Sequence, residues 1–150
     1  MSYEKFVYIA GPFFNQRQLQ ILEQVKHTLD AIPMTYYSPK DELLYVPGAG
    51  IDPQEVLHAN TQAMQDANIM VCIADGKDTG TMFEAGWAYR NGTPIFYVWI
   101  DHGPEDKFNL MLGASGVVAM SFDELEAALV EFILTDGEHL VIPREEINYE

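Results

Sequence analysis

Ile69-Met70-Val71-Cys72-Ile73-Ala74 runs directly into Asp75-Gly76-Lys77-Asp78-Thr79-Gly80-Thr81-Met82-Phe83-Glu84-Ala85-Gly86. The first segment is an unbroken apolar run, the pattern of a strand buried on both faces. Asp75 to Asp78 read as a turn. Asp78 can cap a helix that begins near Thr79 and stops at Asn91-Gly92, a left-handed cap pattern. A buried strand leading through a polar turn into a helix is the building unit of a parallel sheet.

The alternation extends in both directions. Upstream, Phe6–Ala10 is a first short apolar strand that ends at Gly11-Pro12. Asn15, with Gln18 at the third helical position, starts a helix whose Ile21, Leu22, Val25, Leu29 and Ile32 share one face. Met34–Tyr37 reads as the second strand. Ser38–Ile51 is rich in Pro, Gly and charge, a loop long enough to be functional or mobile. Asp52-Pro53 with Glu55 opens a helix that runs to about Ala67. Downstream, Pro94–Ile100 is the fourth strand, Asp101–Lys107 a polar loop and Val117–Met120 the fifth strand. Ser121 and Glu124 form a capping box for a last helix with Leu125, Ala128, Leu129, Phe132 and Ile133 on one stripe. The tail from Thr135 has no clear period.

The expected fold is α/β: a single domain over residues 1–150 with a doubly wound, flavodoxin- or Rossmann-like, five-stranded parallel sheet and helices on both faces. The tail 135–150 stays unassigned. Ligands in such sheets sit at the carboxyl ends of strands. That rule picks out Gly11–Phe14, Asp75–Glu84 and Asp101–Met111.

Composition narrows the function. The 150 residues are 48% hydrophobic and 21% charged, which suits one packed core and argues against disorder. Asp and Glu number 23 against 8 Lys and Arg, a formal net charge of -15. That field repels phosphate backbones and anionic lipid, so neither nucleic acid nor membrane is an expected partner. Cys72 is the only cysteine, which excludes an internal disulfide and a cysteine-built zinc site. Mid-strand, it reads as inert core. The opening MSYEKFVYIAGPFF has no basic n-region or small-residue cleavage site, and no apolar run is long enough to span a bilayer. A reducing cytoplasm is the expected location. His27, His58, His102 and His139 show no metal-ligand spacing, and neither metal nor organic cofactor is expected.

Asp75, Asp78 and Glu84 gather three carboxylates at a strand end and in the first turns of a helix. Glu84 sits between Phe83 and Ala85, so partial burial raises its pKa, while the helix N-terminus favours the charged form. Two carboxylates at a cleft can perform glycosidic chemistry: one attacks the anomeric carbon and the other protonates the leaving group. The plainer alternative makes Asp78 a helix cap and Glu84 a solvated residue. Asp78-Thr79-Gly80-Thr81 also matches the D-T-G-T string of aspartic proteases, but that string belongs to an all-β fold. Gly48-Ala49-Gly50 is no dinucleotide fingerprint, since no strand leads into it and no third glycine follows. Gly11 allows close backbone approach to a ligand, and Phe13 and Phe14 either sandwich a flat heterocycle or staple onto the first helix. Tyr8 by itself reads as core. Asn60 shares a helical stripe with Val56, Ala63, Met64 and Ala67, so its amide either caps local backbone or reaches the cleft.

Three separated segments resemble the nucleoside 2-deoxyribosyltransferase family. Tyr8-Ile9-Ala10-Gly11-Pro12-Phe13-Phe14 is similar to its first strand and loop. Ala74-Asp75, Asp78-Thr79-Gly80-Thr81 and Glu84-Ala85-Gly86-Trp87-Ala88 resemble its D…D-x-G-T-x-x-E-x-G-x-A signature. Phe108-Asn109-Leu110-Met111 resembles its late N-L-M element. The resemblance implies a ping-pong exchange of bases on 2-deoxyribose, with 2′-deoxyribonucleosides and free purine or pyrimidine bases as small-molecule substrates. It implies Glu84 as nucleophile at C1′, Asp78 assisting protonation of the departing base, and Tyr8 holding the Glu84 carboxylate. Asp75 would support the acidic loop or the base site. Phe13 and Phe14 would line the base pocket, with Gly11, Gly80, Asn60 and Met111 also at the substrate. Asn109 would reach the sugar 5′-hydroxyl in a neighbouring subunit's site, in a homo-oligomer that is a dimer or a hexamer. Some family members carry Asp where this chain has Asn60, which bears on base preference.

Two other functions fit the same pattern. A 2′-deoxynucleoside 5′-monophosphate N-glycosidase would need a phosphate site, yet the first loop reads Gly-Pro-Phe-Phe-Asn, with no Ser and no Arg before Arg17. A non-catalytic nucleoside-sensing module would have no need of the set Asp78, Glu84 and Asn109.

Overall fold

The computed structural model describes residues 5–42, 50–138 and 146–150. Its elements are β1 (Phe6–Ala10), α1 (Gln16–Ala31), β2 (Thr35–Tyr37), α2 (Pro53–Asp66), β3 (Ile69–Ile73), α3 (Thr79–Asn91), β4 (Ile95–Val98), α4 (Leu110–Ser115), β5 (Val117–Ala119) and α5 (Phe122–Leu134). All five strands are parallel, in the order β2-β1-β3-β4-β5. The order reverses between β1 and β3, which opens a crevice at their carboxyl ends.

Each strand face has its own core. Val7, Ile9, Val71, Ile73, Phe96 and Val98 meet Leu22, Val25 and Leu29 of α1 and Leu125, Leu129 and Phe132 of α5. On the other face Tyr8, Ala10, Met70, Cys72 and Tyr97 meet Ala63 and Met64 of α2 and Ala85 and Ala88 of α3. Helices therefore cover both faces, and β3 is buried at every residue, as its unbroken apolar run requires.

The helix starts follow their sequence signals, with one shift. Asn15 accepts from the Gln18 N–H and Ser121 from the Glu124 N–H. The returning side chains, however, accept from the residue before the cap: Gln18 from the Phe14 N–H at 2.8 Å, Glu124 from the Met120 N–H at 2.7 Å. Asp52 caps α2 with Pro53 at its first position, and α3 ends at Gly92 with φ 78°.

The strands are shorter than the apolar runs. Met34, Ala74, Pro94, Trp99, Ile100 and Met120 lie outside them, because a ladder extends only as far as its neighbour. The Ile100 N–H, for example, goes to the Asp75 carboxylate. Helix α4 falls in the stretch between the fourth and fifth strands that reads as loop. At six residues it is too short to show a hydrophobic period. The end of the chain holds its approach: Phe108 N–H donates to Asn148 O at 2.8 Å, Glu150 N–H to Phe108 O at 3.0 Å, and Leu110 N–H to Glu150 O at 2.9 Å. Part of the unassigned tail is thus a short bridge beside α4. Tyr149 lies against Gly113, where a Cβ would come within 2.2 Å of its ring.

Gly48, Ala49, His139 and the middle of the Ser38–Ile51 loop lie outside the described residues. Among the described residues no helix is long and apolar enough to cross a membrane.

Candidate active site

The site begins with a strand residue that points away from solvent. Tyr8 in β1 is fully buried on the face covered by α2 and α3. Helix α3 packs on that face through Ala85 and Ala88, and the small side chains let its first turns come close to β1. Glu84, adjacent to Ala85 and half-buried, accepts a hydrogen bond from the Tyr8 hydroxyl on Oε2. Its other oxygen has no hydrogen bond among the described residues.

Burial pushes the Glu84 carboxyl up to about 7; the Tyr8 hydrogen bond pulls it down and the nearby Asp78 charge raises it. Burial, and then the Glu84 charge, push the Tyr8 phenol well above its ordinary value, so Tyr8 remains a donor. A carboxylate held by one oxygen and poised between its two protonation states near neutrality suits a nucleophile.

Asp78 occupies the N-cap of α3. Its Oδ2 accepts from the Thr81 N–H and the Thr81 hydroxyl, both at 2.9 Å, while Oδ1 has no partner among the described residues. The capping alternative is therefore correct for one oxygen, and the other remains available to a ligand. Gly80, in the first turn, is exposed beside that carboxylate.

Asp75 works on the loops. Both its oxygens accept from the Ile100 N–H at 3.0 Å, and Oδ2 also accepts from the Asp101 N–H at 2.7 Å. It clamps the exit of β3 to the exit of β4. Arg17 pairs with both oxygens of Asp101 at 2.6 and 2.7 Å and holds that carboxyl below its usual range.

The first loop packs in part on the protein itself. Gly11 makes its close approach to Ile73, where a Cβ would fall 2.8 Å from Cδ1; the space a side chain would need is taken by the neighbouring strand. Phe13 and Phe14 pack on each other, with ring centroids 4.8 Å apart. A ring sandwiched between them would need roughly 7 Å, two stacking distances, so they form no clamp. Phe13 instead packs on the α1 core, and Phe14 is exposed.

Asn60 meets Tyr37, whose hydroxyl donates to its Oδ1 at 3.1 Å. Tyr37 in turn lies on Tyr8, centroids 5.5 Å apart and planes 15° from parallel. Tyr37 belongs to no motif; the signal that finds it is the β1–β2 register, which sets it opposite Tyr8.

Asn109 caps α4, its Oδ1 accepting from Met111 N–H at 3.0 Å and Leu112 N–H at 3.2 Å. Within this chain it lines a pocket of about 350 Å³ together with Met82, Trp99, Phe108 and two cations, Lys77 and Lys107. Neither Glu84 nor Tyr8 lines that pocket. Met111, with Leu110 before it, is largely exposed. Glu150 pairs with Lys77, a residue of the pocket lining, at 3.2 Å. Among the described residues no group of three or more His, Cys, Asp or Glu side chains is placed to hold a metal ion.

A family model described as nucleoside 2-deoxyribosyltransferase matches residues 7–124. Among solved structures, a 2-deoxyribosyltransferase from Bacillus psychrosaccharolyticus is 25% identical, with 81% of this chain and 90% of that chain covered and a TM-score of 0.69. A 2-deoxyribosyltransferase from Leishmania mexicana is 20% identical, covering 91% and 99%, with a TM-score of 0.61. A CMP N-glycosidase from Clostridium botulinum is 15% identical, covering 84% and 99%, with a TM-score of 0.57. No curated protein sequence matches the chain significantly.

Proposed function

The chain belongs to the nucleoside 2-deoxyribosyltransferase family, and on that premise we propose that it moves 2-deoxyribose between nucleobases by two displacements at Glu84. The observation that carries this reading is the Tyr8–Glu84 pair, with one carboxylate oxygen held and the other free. The free oxygen attacks C1′ of a 2′-deoxyribonucleoside. The C1′–N bond breaks, its electron pair leaves with the base, and Asp78 supplies the proton through Oδ1. A second base then attacks C1′, expels Glu84 and returns a proton to Asp78. Retention follows from the two inversions. The substrates are small and near neutral, so the acidic surface does not oppose them.

Asn109 contributes from a neighbouring copy. Its own Glu84 does not line the pocket that Asn109 lines, and exposed Phe83, Tyr89, Leu110 and Met111 supply apolar surface for such a contact. Its Nδ2 remains free to donate to a sugar 5′-hydroxyl. Asn109→Ser keeps an oxygen for the α4 cap and removes the amide donor. Its KM for 2′-deoxyinosine rises about tenfold, the value of one lost hydrogen bond. A 5′-deoxy nucleoside shows no such difference between variant and wild type; an equal loss with that substrate removes the contact.

The decisive assay is chromatographic. Incubation with 2′-deoxyinosine and adenine, without phosphate, yields 2′-deoxyadenosine; a parallel tube with cytosine reports pyrimidine acceptance. Release of hypoxanthine with no new nucleoside identifies water as the acceptor and makes the protein an N-glycosidase. Lys77 and Lys107 beside Asn109 favour testing deoxynucleoside monophosphates for that second reading. Ligand binding with no turnover of any substrate indicates a sensing module.

A further inference from the structure

The parallel register of β1 and β2 sets Tyr37 directly across from Tyr8, and that of β1 and β3 sets Met70 on its other side. Cross-strand neighbours on one face are in contact range, and Tyr37 lies nearly flat on Tyr8. The hydroxyl oxygen lies on the axis of the ring and is placed by how the whole ring is packed, while its O–H bond prefers the ring plane, so a neighbour lying flat on the ring bears on both. Tyr37 is itself fixed: its hydroxyl bonds to Asn60 of α2. A continuous chain therefore runs from Asn60 through Tyr37 and Tyr8 to Glu84, and joins α2, β2, β1 and α3.

We propose that Tyr37, anchored by Asn60, is a positioning residue that holds the Tyr8 ring in place by packing flat on it and so keeps the Tyr8 hydroxyl on one oxygen of Glu84, leaving the other free. Tyr37 does not touch the reacting atoms in this scheme. Its kinetic consequence rests on the transfer reading above, whereas its effect on the Glu84 carboxyl does not.

The groups that bear on Glu84 are Tyr8 from β1 and Asp78 at the start of α3. Tyr37 from β2 and Cys72 from β3 feel its charge in turn, and Glu42 stands near Tyr37. Of these, Tyr8 alone pulls the carboxyl down. Loosening Tyr8 therefore raises the Glu84 midpoint, whereas admitting water lowers it.

The test follows the Glu84 carboxyl by carbon NMR over pH, assigned with Glu84→Gln, and measures base exchange in parallel. Tyr37→Leu keeps the space filled. It raises the Glu84 midpoint by about half a unit or more. It also lowers kcat about tenfold and leaves KM within about twofold, as expected when positioning rather than binding is lost. Tyr37→Phe keeps the ring but loses the Asn60 bond, so it recovers only part of both effects. Asn60→Ala frees the Tyr37 hydroxyl without opening the core and shifts the midpoint in the same direction, so a poorly folded Tyr37→Leu does not leave the matter open. An unmoved or lowered midpoint in the folded variants, with only thermal stability changed, makes Tyr37 a packing residue and overturns the proposal. Should the wild type show no exchange, the transfer reading fails while the titration still decides the role of Tyr37.

Discussion

Glu84→Gln is expected to lower base exchange by at least about 10³-fold, because an amide cannot form the glycosyl ester on which both displacements depend. Gln is the informative replacement. Its side-chain oxygen still accepts the Tyr8 hydroxyl, which in Glu84→Ala would be left buried and unpaired at a cost of about 1–3 kcal/mol. Thermal unfolding of Glu84→Gln should therefore match the wild type or exceed it, since ionising the buried carboxyl opposes folding. The sign is clear: a carboxyl at about 7 in the folded chain and near 4.5 when unfolded withdraws stability as pH rises through that interval. The same value sets the rate. Only ionised Glu84 attacks, so the acid limb of kcat/KM climbs with pH up to about 7. A profile flat from pH 5 to 8, or a Glu84→Gln variant with ordinary turnover, removes Glu84 as nucleophile. Intact mass of the quenched wild type, given deoxynucleoside and no acceptor base, should carry one sugar adduct that Glu84→Gln lacks.

Asp78→Asn should cost about 10²-fold in kcat with a natural nucleoside, the usual worth of a general acid. Asn caps helices as well as Asp does, so the oxygen that accepts from the Thr81 N–H and hydroxyl remains. Loss of activity at unchanged melting temperature then separates the chemistry of Oδ1 from the capping by Oδ2. Asp78→Ala loses the cap too and should unfold more easily by about 1 kcal/mol. A substrate whose base leaves as a stable anion needs no proton. With it, Asp78→Asn should approach wild-type rates. A variant equally slow on both substrates assigns Asp78 to positioning and not to acid catalysis.

Much of this molecule is legible before any coordinates. The β3 run, the caps at Asn15, Asp52, Asp78 and Ser121, and the stop at Gly92 are local signals: each depends on residues within a turn of one another, and each appears in the structure. The three segments that carry the family resemblance are local too, and they lie within the residues that the family model matches. What fails is what needs a neighbour distant in sequence. The strand ends were set by adjacent strands and by Asp75. The space beside Gly11 is taken by Ile73, and the two Phe rings pack on each other. Helix α4 is held by the far end of the chain and carries no period of its own.

Local chemistry, written in residue types at short spacing, is thus enough for the element order apart from α4, for the sheet class and for the carboxylates at the strand ends. Partner choice is not. That Tyr8 meets Glu84 across 76 positions, which the family resemblance implies but no local spacing shows, and that Tyr37 lies on Tyr8 both follow from sheet register and helix packing. These arise only when burial of both sheet faces brings distant residues into one low-dielectric space, and it is that space which moves the Glu84 carboxyl to about 7.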